Sequence, residues 1–178
     1  LEVKDLGEWK HPGWLSEGQL KPFYSVEWYV DVGKRDRDKL DALRILNALH
    51  YEPWRRQNDH YDVMVIGEDM RSEGTNFVIG LAKPTIGTVI STYRFRGLDD
   101  SLRYECVKTE AMHEFGHVLC LPYGRNYNVE NSLGLHCTNT CIMRQGLSVP
   151  YDWIRMSENR LRYGALCRDC QRNLRGSF

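Results

Sequence analysis

His113-Glu114-Phe115-Gly116-His117 carries the plainest chemistry in the chain. It fits the pattern H-E-x-x-H. Residues four apart on a helix share a face, so His113 and His117 can offer two imidazole nitrogens to one zinc. Glu114 stands slightly aside, where it can take a proton from a zinc-bound water. Two ligands one turn apart fix two corners of a tetrahedron. A third protein ligand must come from elsewhere, and the fourth corner stays open for water or substrate. The bare pattern also occurs as an ordinary solvated helical face. Three later stretches direct the reading to zinc: His136-Cys137, then Cys141-Ile142-Met143, then Cys167-Arg168-Asp169-Cys170.

The six cysteines divide unevenly. Cys137/Cys141 and Cys167/Cys170 are two close pairs separated by a helix-length segment. That is the spacing of zinc thiolate ligands in a reducing, cytoplasmic setting rather than of disulfides. Two zinc ions per chain are therefore expected, one at the histidines and one at the four thiols. Cys106 and Cys120 fall in the expected active-site helix and read as buried free thiols. The third ligand at the first site has three candidates: His136, Glu130 and Glu158. His136 is favoured because Cys137 anchors its backbone and because Met143 comes soon after, in what reads as a tight turn flooring the site. Cys120, three residues past His117, is a further thiolate candidate.

These residues need elements to hold them. Phe23–Val32 is rich in aromatic and β-branched residues and predicts a strand. Gly33–Asp36 predicts a turn. From Arg37 to Tyr51, Leu40, Leu43, Leu46 and Leu49 recur at helical spacing and predict an amphipathic helix. Tyr61–Gly67 is a near-continuous apolar run, as in a strand buried on both faces; His60 at its edge reads as structural. Asn76–Lys83 and Gly87–Phe95 predict two paired strands. Gly80 and Pro84 suit an edge strand, which beside a zinc either holds an extended peptide by β-augmentation or is an ordinary edge.

Asp99-Asp100-Ser101 offers capping residues for a helix from Ser101 to Leu119 that carries H-E-x-x-H. Gly116 inside it is expected to admit another backbone beside the zinc. The turn-rich connection Leu121–Leu135 must then bring His136 back under the helix. A second long helix is expected between Pro150 and Gly164, with a start near Ser157-Glu158. Cys167–Cys170 forms a knuckle near the end. Residues 1–22 read as an irregular leader tied down by Trp9 and Trp14.

With 178 residues, one domain with a proper core is the simplest organisation. Its 24 basic and 24 acidic residues balance, which gives no reason to expect nucleic acid or an anionic membrane as a partner. No apolar run approaches a membrane span. The first residues, Leu1-Glu2-Val3-Lys4-Asp5, carry no signal-peptide core.

In their order, H-E-F-G-H, H-C, C-x-M and a C-terminal C-x-x-C resemble the archaemetzincins, a branch of the metzincin zinc peptidases. Asn76–Ala82 and Val89–Ser91 are similar to the strands that precede the helix in that family, and Cys170–Arg175 is similar to the family's segment just past the knuckle. The resemblance runs from Tyr61 onward. The chain departs from the family pattern in having Cys120 where the family has a Gly after the second His, in a longer segment before His136, in three rather than four residues between Cys137 and Cys141, and in a longer gap from Met143 to Cys167. The resemblance implies an α/β fold of metzincin type: a twisted mixed sheet, a backing helix, an active-site helix, and a small C-terminal part with a four-cysteine zinc site. Residues 1–120 would form the upper part of a single domain and residues 121–178 the lower part. It further implies a monomeric zinc peptidase acting on peptides or proteins, with His113, His117 and His136 as zinc ligands and Glu114 as general base. A different class fits the same residues: a catalytically inactive, zinc-stabilised binding or scaffold protein. The intact Glu114 argues against it, because a purely structural site has no use for a carboxylate beside its ligands.

Overall fold

A computed structural model describes residues 2–7, 25–34, 39–51, 59–124 and 127–175. Most of the expected leader, Trp9 and Trp14 included, lies outside the described residues, as do 35–36 of the expected turn and 37–38 at the expected start of the next helix. The chain is mixed α/β. Its centre is a three-stranded sheet in the order β2-β5-β4, with β2 Asp62–Ile66, β4 Gly80–Lys83 and β5 Gly87–Ser91. β2 runs parallel to β5, and β4 runs antiparallel to it. A short parallel pair, β1 Leu40–Asp41 with β3 Met70–Arg71, stands separately.

Helices cover both faces of β5, which is buried at every position. On one face Val89 joins a core with Tyr29, Ile45, Leu46 and Leu49 from α1 (Val26–Gly33) and α2 (Ala42–His50). On the other, Gly80 and its cross-strand partner Ile90 look toward α3 (Asp100–Val118). The cap is as expected: Asp99 accepts the Leu102 N–H at 3.0 Å. The tip of the β4–β5 turn meets the other end of α3, where Thr85 N–H donates to the Val118 carbonyl at 2.9 Å. α4 (Tyr151–Tyr163) packs on α3 through Trp153 and Met156, which share a core with Ile79, Phe95 and Cys106. α5 (Arg168–Arg175) closes a third core around Cys137, Cys141, Ile142 and Met143. No helix among the described residues is long and apolar enough to cross a membrane.

Several expectations need correction. The segment expected as strand Phe23–Val32 is helical from Val26. Val26, Tyr29, Val30 and Gly33 sit at helical spacing, and Ser25 caps the turn by accepting the Trp28 N–H at 3.0 Å; the aromatic and β-branched composition yields to that pattern. The next helix begins at Ala42, not Arg37, because Leu40 and Asp41 pair with β3 and Asp41 then serves as its N-cap. β2 is not buried on both faces. It lies at a sheet edge among the described residues, and Val63 and Val65 are 48% and 46% exposed.

The strand beginning at Gly87 ends at Ser91, and Tyr93–Phe95 form a 3-10 turn. The connection 121–135 contains a strand, β6 Val129–Asn131, which pairs antiparallel with β7 Leu135–Cys137. The last long helix starts at Tyr151 rather than near Ser157, with the Asp152 carboxylate accepting the Leu147 and Ser148 N–H groups.

Candidate metal centre

The structure brings His113, His117 and His136 together, one nitrogen from each lying within 4.8 Å of the others. α3 supplies the first two, one turn apart, and β7 supplies the third. Each ring is held by its far nitrogen. His113 Nδ1 meets the Ile142 carbonyl at 2.5 Å, His117 Nδ1 the Leu121 carbonyl at 2.8 Å, and His136 Nδ1 the Gly134 carbonyl at 3.1 Å. A carbonyl oxygen only accepts, so each Nδ1 carries the proton and each Nε2 presents a lone pair.

The Nε2 atoms of His113 and His117 face each other at 3.1 Å. Two lone pairs at that distance repel unless a cation lies between them. Tetrahedral ligands at about 2.0–2.1 Å from zinc would stand about 3.3 Å apart. Burial, then the neighbouring His117, lowers His113 to about 3. Burial, then His136, lowers His117 to about 4. Burial also lowers His136. All three rings are thus neutral donors near pH 7, and the carbonyl bonds fix their orientation as an outer shell does at a metal.

A second group lies nearby in sequence. The sulfurs of Cys137, Cys141, Cys167 and Cys170 also lie within 4.8 Å of one another, and all four are free thiols. Cys137 and Cys167 Sγ are 3.7 Å apart, against about 3.8 Å for tetrahedral thiolates at 2.3 Å from zinc. Amide groups point at the sulfurs. Asn128 Nδ2 donates to Cys137 Sγ at 3.3 Å, Asn139 Nδ2 to Cys167 Sγ at 3.5 Å, and Cys167 N–H to Cys141 Sγ at 3.4 Å. Hydrogen bonds from Cys137 and Cys170 hold the Cys141 thiol down to about 4. Such a donor set suits a thiophilic cation.

The other candidates stay outside the histidine group, although Glu130 is the cross-strand partner of His136. Glu130 is exposed on β6 and Glu158 is exposed on α4, and neither belongs to the histidine group. Cys106 is buried in α3, as expected. Cys120 is not: it lies past the end of α3, is exposed, and has φ +63°. The helix stops before it because the Leu121 N–H turns back to the Gly116 carbonyl, which takes Cys120 off the face shared by the histidines. Gly116 admits a side chain rather than a backbone. Met143, fully buried, fills the space beside it. Cys137 N–H donates to the Met143 carbonyl at 2.7 Å, which ties β7 to that turn.

Two features of the site escape the spacing argument, the strand and the indole that enclose Glu110 and Glu114. Glu114 is 7% exposed, and one turn earlier on α3 Glu110 is 2% exposed. Trp153 Nε1 donates to Glu110 Oε2 at 2.5 Å. Burial pushes Glu110 up to about 7, against the lowering effect of the indole N–H. Burial, then the charge of Glu110, raises Glu114 well above the usual carboxylate range. Both side chains press on β4 at Gly80, where a Cβ would stand 2.6 Å from an oxygen of each. The i,i+4 spacing of Glu110 and Glu114 is visible in the sequence; the strand and the indole that enclose them are not.

No protein-family model matches the chain. The chain is 34% identical over 119 residues to a curated archaemetzincin from Nanoarchaeum equitans, a match covering 67% of this chain and 55% of that protein. It is 35% identical over 108 residues to one from Archaeoglobus fulgidus, covering 56% and 58%. The matches thus span little more than half the length of those relatives. Among solved structures, archaemetzincin from Methanopyrus kandleri superposes with TM-score 0.60 at 24% identity, over 83% of this chain and 70% of that one. The A. fulgidus archaemetzincin, solved in complex with malonate, gives TM-score 0.55 at 27% identity over 81% and 75%. Sequence and fold agree on the same relatives: this chain is an archaemetzincin-like protein.

Proposed function

We propose that the chain is a zinc-dependent peptidase. His113, His117 and His136 hold the catalytic zinc through their Nε2 atoms. Cys137, Cys141, Cys167 and Cys170 hold a second zinc that ties α5 to the segment bearing His136. The observation that carries this reading is the facing of two unprotonated Nε2 atoms at 3.1 Å, with the buried Glu114 next to His113 on the same helix. Zinc at the histidine site supplies Lewis acidity, which lowers the pKa of a water and polarises the scissile carbonyl.

Glu114 acts as general base. It takes the proton of the attacking water as the water oxygen bonds to the carbonyl carbon. It then delivers that proton to the departing nitrogen as the C–N bond breaks. One water is consumed, and a carboxyl and an amine result. Burial raises the proton affinity of Glu114 and cationic charge in the histidine site opposes it, which suits a group that must both accept and release a proton. Residues 1–120 would form the upper wall and 121–178 the floor. β4, at a sheet edge among the described residues and touching Glu114 through Gly80, is the element on which an extended peptide would align.

A fluorogenic peptide panel, run with and without chelator, tests the reading. Turnover that chelator abolishes and Glu114→Ala removes, with metal content and stability of that variant nearly unchanged, is the expected result. Chelator-insensitive turnover, or full activity in Glu114→Ala, would sink it. Two equivalents of zinc with no turnover on any peptide would favour a zinc-stabilised binding or scaffold protein.

A further inference from the structure

Glu110 takes no part in the bond cleavage proposed for Glu114, yet it is among the most deeply buried charged side chains near the site. We infer that Glu110 is a positioning residue: pinned from α4 by Trp153, its carboxyl backs the Glu114 carboxyl at the Gly80 notch and fixes where that carboxyl points. The inference rests on the peptidase reading for its kinetic consequence, but its structural claim stands apart from it.

The i,i+4 spacing puts Glu110 and Glu114 on one face of α3, and that face abuts β4 where Gly80 lacks a side chain. A Cβ at Gly80 would stand 2.6 Å from Glu110 Oε1 and 2.6 Å from Glu114 Oε1. The two carboxyl groups therefore share one small notch, with β4 backbone on one side of Glu114 and Glu110 on another. The remaining oxygen of Glu110 is held by the indole N–H of Trp153. Trp153 is itself fixed. Its ring is tilted against Phe95 at 6.2 Å, and a Cβ on Gly146 would stand 2.5 Å from its Cη2. So the chain of support runs from α4 through Trp153 and Glu110 to Glu114.

A buried carboxyl is costly where an apolar side chain could fill the same space. What an apolar side chain cannot do is present an oxygen to the indole and another polar edge to Glu114. A general base released from such a backing samples rotamers that miss the reacting water, and misplacement by about 1 Å can cost about a hundredfold in rate.

The test compares zinc-loaded parent protein with Glu110→Gln and Glu110→Ala, by crystal structure and by kcat and KM on a cleaved peptide. Gln keeps an oxygen for the indole and offers an N–H to Glu114. The Glu114 carboxyl should therefore stay in place in Glu110→Gln, with kcat within about threefold of the parent. In Glu110→Ala it should leave the notch or occupy two rotamers, with kcat down about a hundredfold and KM within about twofold. Should Glu110→Ala fail to fold, Trp153→Phe removes the pin without changing any residue of α3 and should displace Glu114 in the same sense. Glu114 unmoved in Glu110→Ala, or moved with kcat unchanged, overturns the inference. Displacement of Glu114 in Glu110→Ala, with a parent protein that cleaves no peptide, would instead leave the positioning intact and remove the peptidase reading.

Discussion

Met143 occupies the space that Gly116 leaves open on α3: its Cε stands 2.9 Å from where a Cβ on that glycine would lie, and its Sδ closer still. The contact joins the helix bearing two histidines to the turn whose neighbour, Ile142, offers its carbonyl to His113 Nδ1. Gly116→Ala should therefore disturb both. Overpacking of this kind costs about 1–3 kcal/mol, offset by up to about 1 kcal/mol of better helix propensity. The expected outcome in denaturant is a lower midpoint with an unchanged slope, together with weaker metal binding at the histidines. A variant as stable as the parent would mean that Met143 moves aside freely.

Gly80 makes a sharper case. Its missing side chain is the room in which Glu114 and Glu110 sit. Gly80→Ala should cut peptide turnover by about a hundredfold while both metals remain. Gly97, with no atom within 4 Å of its would-be Cβ, is the control, and Gly97→Ala should stay within about 0.5 kcal/mol of the parent. Equal effects of the two substitutions would contradict the notch.

At the thiol cluster, protein purified without added metal should approach two equivalents of zinc per chain. Cys167→Ser should lose one of them and melt earlier, because metal binding there is also folding energy. Each kcal/mol lost lowers Tm by roughly 2–4 °C in a chain of this size. One equivalent in the parent, or disulfides among Cys137, Cys141, Cys167 and Cys170, would falsify the paired sites.

Glu110 also predicts a pH dependence. Its carboxyl is raised from 4.5 to about 7 on folding, so the native state holds a proton that the unfolded state has released across that window. Stability contributed by the protonated form is present below 4.5 and is lost as pH rises toward 7. Glu110→Gln lacks this dependence. Its Tm relative to the parent, measured at equal metal content, should climb from pH 4.5 to 7. A flat difference across that range would show that Glu110 ionises as freely in the folded chain as in the unfolded one.

The sequence alone carries the candidate metal-binding groups and their local pairing. Four-residue spacing on a helix is enough to place His113 over His117, and no distant contact is needed to see it. The cysteine pairs are legible for the same reason, since each is local. Asp99 as the cap of α3, and the turn between β4 and β5, were likewise written in short stretches whose chemistry decides their own geometry.

Tertiary structure decided the rest. Phe23–Val32 had strand composition and helical spacing at once, and packing of Tyr29 against α2 accompanies the helix. Tyr61–Gly67 looked buried on two faces, but an apolar run does not say which strand lies at the edge. Glu130, Glu158 and His136 were all chemically able to complete the first site. The fold groups His136 with the two helix histidines, while Glu130, its partner across the β6–β7 hairpin, and Glu158 on α4 both stay exposed. Cys120 left the group because the backbone turned at φ +63°, one residue past the C-cap. The Glu110–Trp153 bond spans 43 residues, and no local pattern announces a bond between two helices that only packing brings together.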